Sequence, residues 1–174
     1  MNVQMLVSAL TRDKKVMFPS GEALEPRTEL LASMVAGAVT RLLPADAEVH
    51  SGWQTKTMPD GWGTGSFQCW LIVDDDLVKV DAIARTEHED ISDIGARVFP
   101  LRLHHPAPAI VLSYHRTTHE TVVLERLGQM RVDFAIDGET FHAEADGDSI
   151  AALSRFVREL ANATARSWAP RAHE

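Results

Sequence analysis

Residues 130–145 read MRVDFAIDGETFHAEA, and the Asp137-Gly138 pair at the centre decides the fold class. An Asp-Gly dipeptide between two alternating runs is the strongest local hairpin signal, because a type I′ turn needs positive φ at both central positions. The implied register sets Phe134 opposite Phe141 and Val132 opposite Ala143 on one face. On the other face Asp133 meets His142 and Arg131 meets Glu144. Apolar faces apolar and charge faces its complement, which is how cross-strand pairs stabilise a sheet.

Upstream, AIVLSYHRTTHETVVLERL (109–127) reads as strand, turn and strand. RVFPLRL (97–103) carries Pro100 and reads as an edge strand, because proline cannot donate to a ladder. A further hairpin lies over residues 66–85, SFQCWLIVDDDLVKVDAIAR. A turn at Asp75 and Asp76 pairs Val73 with Val78, Leu71 with Val80, Cys69 with Ala82 and Phe67 with Ala84. The reverse face then holds Trp70 near Asp81 and Ile72 near Lys79, a mixed surface.

Helical signals lie at both ends of these strands. Pro26 suits a first helical position, and Leu31, Met34, Val35, Ala38 and Leu42 recur at helical spacing until Pro44. The back of this helix is small (Ala32, Ser33, Ala36, Gly37, Thr40), so a second element can approach it closely. A second helix is expected over 149–168, capped by Asp148 or Ser149, with Ile150, Leu153, Phe156, Val157, Leu160 and Thr164 facing inward. At the start of the chain Val3, Met5, Val7 and Ala9 alternate, which predicts a short strand over Val3 to Leu10. The expectation is an α+β protein, an antiparallel meandering β-sheet with an N-terminal and a C-terminal helix packed on it, in one domain over 1–174.

Composition narrows the function. No apolar run approaches the roughly 20 residues of a membrane helix, and a cytoplasmic protein is expected. The net charge of −8 argues against a nucleic-acid partner, since phosphate contacts need clustered lysine and arginine. The single Cys69 excludes an internal disulfide and sits on an apolar strand face as a buried thiol. From Asp74 to Asp93 eight carboxylates face only Lys79 and Arg85, whereas Arg155, Arg158, Arg166 and Arg171 gather near the end of the chain.

No catalytic signature stands out. MPDGWGTGSFQCW (58–70) has the spacing G-x-G-x-G and is followed by a strand, so it lacks the helix N-terminus that a phosphate loop needs. It reads as a hairpin loop, with Trp62 either a contact anchor at its tip or folded back on the sheet. His115 and His119 have the spacing of a helical metal pair, but their flanks read as strands. No cofactor or metal is expected, and the residues lean away from catalysis.

Small size, acidity and fold outline are those of proteins that cap, inhibit or escort another protein. Toxin-immunity proteins and secretion chaperones are examples, a likeness of fold and charge carried by no motif. The expected role is therefore a protein-binding module with a basic partner. Its candidate contact residues are Trp62, Asp74, Asp75, Asp76, Glu87, Glu89 and Asp90. One alternative is a small enzyme or ligand-binding domain with a site near His115, His119 and His142. Another is a homodimer joined through the small-faced helix or an exposed sheet edge.

Overall fold

The computed structural model describes residues 1–13, 15–59, 65–84, 92–119 and 122–168, with the backbone alone at 56–59, 84, 92, 117–119 and 122–125. Three helices and nine strands are described: α1 Val3–Asp13, β1 Val16–Met17, β2 Ala23–Leu24, α2 Glu29–Leu42, β3 Val49–Pro59, β4 Gly65–Val73, β5 Asp76–Ala84, β6 Ser92–Pro100, β7 Ala109–His119, β8 Val122–Ile136, β9 Glu139–Asp146 and α3 Ser149–Trp168. The fold is α+β and antiparallel. The strands divide into a β1-β2 ribbon, a four-stranded meander β3-β4-β5-β6 and a three-stranded meander β7-β8-β9, where one sheet was expected.

Residues 3–10 are helical rather than extended. Val3, Leu6 and Leu10 are the buried positions, a spacing of three and four, and Met5 of the supposed strand face is exposed. Asn2 supplies the start signal, its Oδ1 accepting the Met5 amide at 2.9 Å. α1 lies along α2, whose Ala32 and Ala36 are buried, so the small face of α2 is used within the molecule. Pro26 falls outside α2, whose cap is Thr28, its hydroxyl accepting the Leu31 amide at 3.2 Å.

The Asp-Gly hairpin has the expected register, Phe134↔Phe141 and Asp133↔His142 included. Asp137 and Gly138 have φ of 46° and 80°. The β4-β5 hairpin forms with a register two residues from the expected one. Its turn is Asp74-Asp75, and the pairs are Val73↔Asp76, Leu71↔Val78, Cys69↔Val80 and Phe67↔Ala82. Each residue keeps its face, and the partners change. β3 and β4 pair antiparallel out to Pro59↔Gly65, and the loop expected between them, residues 60–64, lies outside the described residues. β6 is the edge of its sheet and ends at Pro100.

Each face of the four-stranded sheet carries a buried core. Phe67, Cys69, Leu71, Val73, Val78, Val80 and Ala82 pack beneath α1 and α2. On the reverse, Trp70, Ile72, Leu77 and Phe99 pack against β8, β9 and α3, so the face expected to be a mixed surface is a second core. Trp70 is its centre, 5.7–6.0 Å from the rings of Phe99, Phe134 and Phe141, and Phe141 stacks on Phe156 at 5.4 Å. Lys79 closes the rim, its Nζ 2.8 Å from both Asp81 and Glu139, tying β5 to β9.

Candidate protein-binding surface

The acidic turn is the first candidate, and its polar groups are largely engaged by the protein itself. Asp74 holds a φ of 48°. Its amide donates to the Glu48 carbonyl at 2.8 Å and its Oδ1 accepts the Glu48 amide at 3.0 Å. Arg166 of α3 donates to the Asp74 carbonyl at 3.1 Å and reaches Asp75 at 3.5 Å. Asp74, Asp75 and Asp76 line a cleft of about 270 Å³ together with Arg102 and Ser167. Burial raises the carboxyl pKa of Asp76 above the ordinary aspartate value; Arg102 opposes this, and Asp75 and Asp74 add to it. The turn is therefore a partly neutralised joint between the four-stranded sheet and α3. Trp62, Glu87, Glu89 and Asp90 lie outside the described residues.

The histidines do not converge. His142 is exposed and bonded to Asp133 at 2.5 Å, a contact that holds the Asp133 carboxyl below its ordinary pKa. Asp133 pairs with Ala109, and His115 lies six residues further along β7, roughly 20 Å away at 3.3 Å per residue. His119 occupies the last position of β7, further still. Among the described residues no three His, Cys, Asp or Glu side chains are placed to share a metal. Cys69 is buried, and burial pushes its thiol far above the ordinary value, which leaves it protonated and without nucleophilic character.

Two clefts flank Arg155 on α3. One, of about 300 Å³, is lined by Gly21, Trp53, Gln54 and Ser149 among others; the second, of about 460 Å³, by Met1, His50, Arg158 and Glu159 among others. Arg155 Nε is buried without a hydrogen-bond partner among the described residues. Ser20, in the lining of the second cleft, donates its hydroxyl to the carboxylate of buried Glu22.

The feature that sequence reasoning missed is the exposure of β7, a strand it did expect. Ile110, Val111, Leu112 and Tyr114 are 48%, 44%, 45% and 58% exposed. β7 is an edge, paired among the described residues with β8 alone. Its register explains what is left uncovered. Paired residues share a face, and β8 and β9 supply the rows Ala143–Val132 and Ala145–Met130, all buried. Those rows continue onto β7 at Ile110 and Leu112, so the apolar face of the sheet extends beyond its cover. Gly128 is the extra residue of a bulge opposite Ser113 and Tyr114, and a Cβ there would run into the His115 ring. The run AIVLSY reads in sequence as a buried strand, and periodicity carries no sign that nothing covers it.

Among the described residues no helix is long and apolar enough to cross a membrane. Comparison with protein-family models, with curated proteins and with solved structures gave no match.

Proposed function

We propose that this chain is a cytoplasmic protein-binding module without chemistry of its own. The observation that supports this reading is the apolar edge of β7, where a row of core residues runs out into solvent. Exposed apolar strand edges are templates for another chain, and a monomer normally guards them with charge, proline or a covering element. The acidic residues Glu87, Glu89 and Asp90 give the module its preference for a basic partner, acting on the rate of encounter more than on the lifetime of the complex.

The test is capture from extracts of the source cells with wild type and with an Ile110→Asp, Leu112→Asp variant of matched circular dichroism. A partner retained by wild type and lost by the variant supports the reading, and identical capture by both sinks it. With that partner purified, charge reversal at Glu87, Glu89 and Asp90 should slow association and flatten its salt dependence.

A further inference from the structure

We propose that β7 pairs antiparallel with β7 of a second copy of this chain, about a two-fold axis through Leu112, joining two three-stranded sheets into one of six. The proposal rests on the protein-binding reading of this edge and names its occupant; a second copy is acidic, so the preference for a basic partner belongs to the separate stretch that holds Glu87, Glu89 and Asp90.

Three observations select a second copy. The first is self-complementarity. A two-fold axis at Leu112 sets Leu112 against its own counterpart and Ile110 against the copy's Tyr114, so the exposed apolar residues of the core-side face meet one another. Val111 meets Ser113 and Ala109 meets His115 on the reverse face. An axis one residue later opposes Ile110 to Arg116; one residue earlier keeps the apolar match, with Val111 on itself and Ile110 on Leu112, but brings Pro108, which has no amide to donate, into the ladder opposite Tyr114.

The second observation is charge. The chain carries a net charge of −8, and two copies repel wherever acidic surfaces approach. Ala109 to His115 contains no Asp, Glu, Lys or Arg, so it is a strip on which like-charged molecules can meet without burying a repulsive pair.

The third is the contrast with the edges β9 and β6; β3, the remaining edge of the four-stranded sheet, is packed against β2. β9 carries Glu139, His142, Glu144 and Asp146, and β6 carries Asp93, Arg97 and Pro100, the guards that keep an edge solitary. β7 is unguarded over seven consecutive residues. An isologous contact closes on itself, whereas an open apolar edge invites continued association.

Sedimentation velocity across a dilution series, joined to site-directed crosslinking, tests the pairing. Wild type should be a reversible dimer. Leu112→Glu places two carboxylates face to face on the axis and should weaken the dimer by roughly a hundredfold or more. Leu112 is half-exposed, so this variant should keep the wild-type circular dichroism. Ile110→Lys alone should weaken association, and adding Tyr114→Glu should restore it, because the new charges are opposite and face each other across the axis.

Directly opposed strand residues have Cα atoms within disulfide range. Leu112→Cys should therefore crosslink rapidly under mild oxidation, with buried Cys69 giving no background. Leu103→Cys, exposed in the turn after β6, should not. A wild type monomeric at every concentration overturns the proposal, as does a dimer indifferent to Leu112→Glu. A monomer that binds a different protein through Ile110 and Leu112 also overturns it, while leaving the protein-binding reading standing.

Discussion

Asp74, Asp75 and Asp76 are alike in sequence and unlike in the folded protein. Asp74 adopts positive φ and clasps Glu48, Asp75 meets Arg166, and Asp76 is drawn into the cleft. Asp76 has the distinctive titration. Its folded pKa lies above the unfolded value, mainly through burial, so keeping it ionised opposes folding at neutral pH and the penalty fades as pH falls through the folded pKa. Asp76→Asn should accordingly be more stable than wild type at pH 7, with the difference closing in acid. Urea titrations at a series of pH values measure this, and a variant less stable at neutrality would contradict it. The triplet also shows why a turn can be recognised and still misplaced. A two-residue slip preserves every face, so hydrophobic pattern cannot tell Asp74-Asp75 from Asp75-Asp76; the clasp to Glu48, 26 residues away, is not written locally.

Among the elements, α3 and the β8-β9 hairpin were the most legible, because a helical stripe and an Asp-Gly turn both agree with the tertiary structure. Phe156 is fully buried, stacked on Phe141 and tilted against Trp53. Phe156→Ala should cost about 3–5 kcal/mol, read from chemical denaturation; a variant that unfolds with wild type would make α3 peripheral. The N-terminal segment failed because VQMLVSAL satisfies two periods at once: Val3, Met5, Val7 and Ala9 alternate, while Val3, Leu6 and Leu10 make a helical stripe. Packing against α2 decides between them. The contact candidates were legible only as charge. The acidic stretch and the arginine-rich end were visible separately, and their meeting through Arg166 depends on a fold that brings residue 166 to residue 74.

For the molecule as a whole, the decisive fact is that two cores share one sheet. β4 is buried from both sides, which is why QCWLIV reads as a nearly continuous apolar run instead of an alternating one. Cavities in either core should then move a single transition. Val35→Ala on the buried face of α2 and Phe156→Ala on that of α3 should each shift circular dichroism and tryptophan fluorescence together. Two separated transitions in either variant would mean that the layers fold independently.

The two cores are also drawn from different stretches of the chain. The first is built wholly from residues between Val3 and Ala82, with Ala96 and Val98 at its margin, whereas the second needs residues as late as Ala163. Protein synthesis is vectorial, so the helical layer and its sheet can close while β7, β8, β9 and α3 are still being made. At about 5–20 residues per second the interval lasts roughly 4–15 s. Throughout it Trp70, Ile72, Leu77 and Phe99 form an apolar face with no cover, the surface that nascent-chain chaperones hold. A released chain ending at Leu101 would be a half-finished protein, folded on one side and adhesive on the other, and a fragment beginning at Arg102 would be its natural complement.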